Sequence, residues 1–179
     1  MSTDESKLIA RILDGHAEAF GYFPESYGNS VLAMVSRLVD GQADAEDLTQ
    51  DVFVKAYDKL PMFDRRSSFS TWLYRIAYTT TVSWLRKQKL HYVSIDEHQK
   101  IDEADIDETL AMDSEESLAR LEAAIEQLRP EEKMLVNLYY FDEWPQNEIA
   151  YIMGIGQGSV ATRLHRIRKK LHLLMTTDK

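Results

Sequence analysis

The chain has 179 residues, with 21 Lys and Arg against 30 Asp and Glu, a net charge of −9 and no cysteine. Without a thiol there is no disulfide scaffold, thiolate zinc site or cysteine nucleophile. The apolar runs fall far short of the roughly 20 residues that span a bilayer, so no membrane insertion is expected. The acidic, amphipathic start MSTDESKLIARILDG lacks a basic segment followed by an apolar one, so no secretory signal is expected and the chain reads as cytoplasmic. Taken whole, −9 argues against nucleic acid as a partner.

The charge is unevenly spread. Residues 64–90 hold six Lys or Arg and one acid, residues 91–128 two basic residues and twelve acids, and residues 154–175 five basic residues and no acid. Two basic islands flank an acidic bridge, and charge per segment is the level at which partners are chosen.

Residues 1–63 read as helical and mildly acidic. The spacing predicts a helix over 45–59, with Leu48, Val52, Phe53, Ala56 and Tyr57 on one face. Asp44 is its expected N-cap, and Glu46 and Asp47 suit the positive end of its dipole. The opposite face carries Asp47, Gln50, Asp51, Val54 and Asp58, on composition alone an ordinary solvated surface. Leu60-Pro61 closes the helix, and Pro24 starts or kinks an earlier one.

The loop 63–69 brings Arg65, Arg66, Ser67, Ser68 and two phenylalanines. Ser70 or Thr71 is the expected cap of a helix over 71–88, with Trp72, Leu73, Ile76, Ala77, Thr80 and Trp84 on its apolar side. The other side interleaves Tyr74, Arg75, Tyr78, Thr79, Val82 and Arg86. Rings that stack on bases and cations that track phosphates suit unpaired nucleic acid, with stacking worth roughly 1–3 kcal/mol per base.

Residues 91–114 hold many acids and few large apolar residues, and read as a flexible linker. Helix resumes over 115–128, breaks at Pro130 and continues through Leu135, Leu138 and Tyr139. No stretch alternates as a strand does, so the expected fold is all-α: two small helical domains, 1–90 and 115–179, joined by the acidic linker 91–114.

Residues 145–174 fit a helix-turn-helix. A short helix over 146–153 places small Ala150 where a second helix can cross closely, and Gly154 supplies the turn. A helix over 157–174 then buries Val160, Leu164, Ile167, Leu171 and Leu174 at spacings of 4, 3, 4 and 3. Its other side presents Thr162, Arg163, Arg166 and Lys169, with Gln157 and Ser159 near its N-terminus, the types that reach base edges and phosphates in a major groove.

Three motifs stand in one order: Asp-Ala-Glu-Asp-Leu-Thr-Gln-Asp-Val-Phe at 44–53, Ser-Phe-Ser-Thr-Trp-Leu-Tyr-Arg-Ile-Ala at 68–77, and Glu-Ile-Ala at 148–150 followed by Arg-Leu-His-Arg-Ile-Arg-Lys-Lys-Leu at 163–171. In this the chain resembles bacterial extracytoplasmic-function sigma factors of the sigma-70 family, from Asp14 to Leu174. The resemblance implies that residues 1–90 are a sigma-2 domain and 115–179 a sigma-4 domain. It implies that Asp47, Gln50, Asp51 and Phe53 lie at or beside the contact with the β′ clamp helices of core RNA polymerase, with the β flap as a further contact. Arg65, Arg66, Ser68, Tyr74, Arg75, Tyr78, Thr79 and Arg86 would hold the opened −10 element, and Gln157, Ser159, Thr162, Arg163, Arg166 and Lys169 would read the −35 element. The partners implied are core RNA polymerase, promoter DNA and an anti-sigma factor. The function implied is promoter-specific transcription initiation with assisted strand opening.

The chain departs from that pattern at several positions. Thr79 and Ser83 stand where the family usually has Asn and Asp, Tyr78 replaces a frequent Arg, and Ala161 a usual Lys. Gly156 stands in place of a capping Ser, worth a few tenths of a kcal/mol. Pro145 takes another capping position and is tolerated in a first helical turn.

A single DNA-reading module buries only about 600–1,000 Å², so neither island is expected to hold a promoter tightly alone. Fixing both on core polymerase raises the local concentration of the second. A linker of about 24 residues reaches roughly 80 Å, enough for two duplex turns of about 34–36 Å each. A conventional helix-turn-helix regulator with an N-terminal sensing domain accounts for 146–174 but leaves 44–53 and 68–77 unexplained. An enzyme is not expected: there is no phosphate-cradling glycine loop, His16, His91, His98, His165 and His172 lack metal-ligand spacing, and no metal or cofactor is called for.

Overall fold

The structure is a computed structural model that describes residues 3–91 and 115–177. Every described element is helical. The N-terminal half comprises α1 (Thr3–Leu13), a 3-10 turn (Ala17–Gly21), α2 (Tyr22–Ser36), α3 (Gln42–Lys59), a 3-10 turn (Leu60–Met62) and α4 (Phe69–His91). The C-terminal half comprises α5 (Glu115–Glu126), α6 (Pro130–Val136), a π-helical turn (Asn137–Phe141), α7 (Gln146–Met153) and α8 (Gln157–Thr177). The linker expected over 91–114 lies, from residue 92 onward, outside the described residues.

In the N-terminal half, α2, α3 and α4 pack on one another. The rings of Phe23 and Phe69 stack at 3.9 Å, and Phe63 and Trp72 close on the same cluster. Pro24 falls in the first turn of α2, where its missing N–H has no helical partner to lose. The expected start of α3 needs correction. The helix begins at Gln42, two residues before Asp44, and the chain enters it through Gly41 at φ 131°, a conformation that favours glycine. α4 also starts earlier than expected. Its cap is neither Ser70 nor Thr71 but Ser68, whose Oγ accepts the Thr71 backbone N–H at 3.0 Å.

In the C-terminal half, α5 and α6 pack on α8. Glu132 closes the start of α6: its carboxylate accepts the Arg129 backbone N–H at 2.9 Å and guanidinium at 3.0 Å. Lys170 of α8 donates to the same carboxylate at 2.8 Å. Burial pushes the Glu132 pKa up, but these hydrogen bonds outweigh it and hold the carboxyl below its ordinary value.

The two halves are not held apart. α4 packs along α7, and one apolar cluster runs from Ile9 through Leu73 and Ala77 to Ile149, Val160 and Ile167. Val82, expected on the open side of α4, is buried.

Candidate nucleic-acid interface

The helix-turn-helix forms where the sequence places it. Gly154 sits at φ 67°, ψ 35°, ending α7 in the left-handed conformation. The Ile155 N–H donates to the Ala150 carbonyl at 3.0 Å and the Gly154 N–H to the Tyr151 carbonyl at 3.2 Å, the paired bonds of a Schellman motif. Ala150 is buried at the crossing. Val160, Leu164 and Ile167 anchor α8; Leu171 and Leu174 are half-buried, and Met175 takes the last buried place in the stripe.

With that stripe inward, Gln157, Thr162, Arg163 and Arg166 are exposed on α8, while Ser159 and Lys169 are half-buried. The Thr162 hydroxyl donates back to the Gly158 carbonyl at 3.3 Å. The four exposed side chains share an acid-free face about three turns long, the size and chemistry of a major-groove reader.

The second basic island surrounds α4. Asp64 shapes its entry loop by accepting the Arg66 backbone N–H at 3.1 Å, while Arg65 adopts φ 61°. Both arginines point to solvent and Ser68 is half-buried in its capping role. On α4, Arg75, Thr79 and Arg86 are exposed and Tyr78 is half-buried. Tyr74 is buried rather than open, its ring against Trp144 at 4.8 Å. Burial, then the charge of Asp142, pushes its phenol pKa up against a Ser30 hydrogen bond and Arg37. Burial and Glu131 push up Tyr78, opposed by Arg86 and Arg163. Both phenols stay neutral across the physiological range.

The structure also brings the two islands together. Tyr78 and Arg86 of α4, Arg129 and Glu131 at the start of α6, and Arg163 and Arg166 of α8 line one cleft.

The acidic face of α3 stands apart. Asp47, Gln50 and Asp51 are exposed, but Phe53 is 7% exposed and belongs to the core, so its ring is not offered to a partner. The apolar stripe of the helix already carried that signal. Two exposed apolar residues flank that face: Val54, in register with Asp47 and Asp51, and Met62, 79% exposed after the helix end.

Among the described residues no three His, Asp or Glu stand close enough to hold a metal ion, and no helix is long and apolar enough to cross a membrane.

Comparison with known proteins matches residues 24–91 to Sigma-70 region 2 and residues 118–171 to Sigma-70, region 4. The chain is 30% identical over 174 residues to the ECF RNA polymerase sigma factor SigW of Bacillus subtilis, covering 92% of this chain and 93% of that one. It is 31% identical to the ECF RNA polymerase sigma-E factor of Escherichia coli, covering 92% and 90%. The fold is shared with CnrH, solved in complex with the cytosolic domain of CnrY, at a TM-score of 0.66 and 23% identity over 96% of this chain and 97% of that one. It is shared also with RpoE of Bartonella quintana, solved with the anti-sigma factor NepR, at 0.62 and 24% over 89% and 98%. Two regions in family order, on a fold of the same kind and with near full-length identity at this level, place the chain in the extracytoplasmic-function sigma factors of the sigma-70 family.

Proposed function

We propose that this chain is the dissociable, non-catalytic specificity subunit of a bacterial cytoplasmic RNA polymerase, and that its three surfaces divide the work. The exposed side of α3, with Asp47, Gln50 and Asp51 and the neighbouring Val54, docks on the β′ clamp helices, and the C-terminal half meets the β flap. Loop 63–69 and the α4 side chains Tyr74, Arg75, Tyr78, Thr79 and Arg86 hold the −10 strand as the duplex opens. Gln157, Ser159, Thr162, Arg163, Arg166 and Lys169 of α8 read the −35 element. Residues 1–90 and 115–179 are then the two working units, with 91–114 as the tether. RNA synthesis belongs to the polymerase, and an anti-sigma factor is the expected negative regulator.

One observation carries this reading. The same chain presents a capped helix-turn-helix with an acid-free outer face and a second helix that interleaves aromatic and cationic side chains. A duplex reader alone has no use for the second surface.

Core association tests it. The chain should co-elute with bacterial core RNA polymerase in gel filtration, and Asp47→Lys/Asp51→Lys should weaken that association by about tenfold or more, since like-charge contacts at an interface cost several kcal/mol. Promoter-specific duplex binding with no core association would favour the conventional regulator.

A further inference from the structure

The cleft shared by α4, α6 and α8 has a volume of about 730 Å³, within the roughly 300–1,000 Å³ of small-molecule sites. Its buried lining is apolar: Leu135, Met153 and Ile167, with Tyr78 and Ile155 half-buried beside them. Its exposed lining is cationic, from Arg86, Arg129, Arg163 and Arg166.

Helix geometry explains how α8 comes to wall it. Arg163, Arg166 and Lys170 stand at i, i+3 and i+7, along one edge of the exposed face. Lys170 fixes where that edge faces, because its ammonium donates to Glu132 of α6 at 2.8 Å. From the opposite wall comes Arg86 of α4, and Arg86 and Arg163 both bear on the Tyr78 phenol, each opposing the rise in its pKa.

The two acids in the lining do not neutralise it. Glu132 is already taken by Arg129 at 3.0 Å and by Lys170, and Glu131 reaches Arg86 only at 3.4 Å. Among the described residues no acid pairs with Arg163 or Arg166. Four arginines against two glutamates leave an excess of two positive charges, three with Lys170 behind Glu132. Guanidinium groups pair with phosphate in fork geometry, and partial enclosure strengthens that attraction relative to open water. Tyr78 adds an aromatic ring, on which a base can stack. Helices bound the cleft on three sides, so it admits one nucleotide and not a duplex.

We propose that this cleft binds a small nucleoside polyphosphate, its base against Tyr78 and the apolar lining, its phosphates on Arg86, Arg163 and Arg166. Arg163 and Arg166 are also assigned to the −35 element, so on that reading ligand and duplex exclude each other at α8. The cleft does not depend on that reading, and its test uses no DNA.

The test is isothermal titration calorimetry on the full chain, at two temperatures in magnesium-free buffer, with ADP, GDP, pyrophosphate and adenosine as probes. One ADP or GDP should bind per chain, at least about tenfold more tightly than pyrophosphate or adenosine, since base and phosphates both contribute. Arg163→Ala/Arg166→Ala should weaken nucleotide binding by at least about tenfold, the scale of losing hydrogen bonds to a charged group. Arg65→Ala/Arg66→Ala removes the same charge from the exposed loop outside the cleft and should change affinity by less than about twofold. Tyr78→Leu should weaken the nucleotide at least about fivefold, the low end of base stacking, and leave pyrophosphate unchanged. No binding of either nucleotide overturns the site. Equal losses in the two arginine pairs reduce it to general attraction for anions and overturn it as well. Pyrophosphate binding as tightly as ADP and GDP overturns the nucleotide assignment.

Discussion

Arg75 grips Tyr151 twice, through a 2.8 Å hydrogen bond to its carbonyl and by lying over its ring at 4.7 Å. The two residues stand 76 positions apart, so this contact ties the halves of the chain together. It also separates two contributions, because a side-chain substitution removes the ring and spares the carbonyl. Tyr151→Ala should cost about 1 kcal/mol, the scale of a partly exposed cation–π contact. Tyr151→Phe should cost almost nothing. Differential scanning calorimetry reads the first as a fall in Tm of roughly 2–4 °C.

The turn between α7 and α8 predicts a substitution whose penalty is purely conformational. A Cβ on Gly154 would meet only the Arg75 guanidinium, at 3.8 Å, an ordinary contact. The φ of 67° is what a side chain resists. Gly154→Ala should therefore destabilise by about 1–2 kcal/mol, and Gly154→Asn by less, since Asn tolerates the left-handed region. Urea unfolding of both variants checks the order.

Glu132 predicts an acid dependence. Its pKa is held below the ordinary value, with hydrogen bonds from Arg129 and Lys170 overcoming the opposing effect of burial. A depressed folded-state pKa contributes stability that is complete above the unfolded value, near 4.3, and is lost as pH falls through the folded value. Glu132→Gln should cost roughly 1–3 kcal/mol at pH 7, the scale of hydrogen bonds to a charged group. The gap between variant and native protein should narrow below about pH 4. Urea midpoints measured from pH 7 to pH 3 give both numbers.

On α8, Arg166 is exposed on the outer face, and phosphate contacts carry a salt signature. If Arg166 reaches one phosphate, Arg166→Ala weakens binding of the holoenzyme to a −35 duplex evenly across sequences. The log–log salt slope then becomes shallower by about 0.9. A base contact would instead relax preference at one position and cost about 1–3 kcal/mol. Titrations at four salt concentrations distinguish the two.

The helix-turn-helix was legible because its determinants are local. Gly154 announces the turn, and the 4-3 spacing of Val160, Leu164 and Ile167 fixes which way α8 faces. Phe53 was half legible: periodicity put it in the apolar stripe, where it lies, while the resemblance pulled it to the surface. The cap of α4 was misplaced because Ser68, Ser70 and Thr71 share the needed chemistry, and only the geometry selects Ser68. The closure of the two halves left no local trace. Trp144 packs on Tyr74, 70 positions away, and a salt link from Arg37 to Asp142 spans 105 positions. The π turn that aims this segment depends on those distant contacts as well. The net charge of −9 misled for a related reason: the acids concentrate in 91–128, so the sum conceals two basic segments.

The central claim is promoter choice, and run-off transcription with core RNA polymerase over a genomic promoter library tests it most directly. The account predicts transcripts from a defined promoter set sharing −35 and −10 elements, dependent on the added chain and lost with Arg163→Ala/Arg166→Ala. Transcription unchanged by adding the chain, while it still binds specific duplex sites, would contradict it.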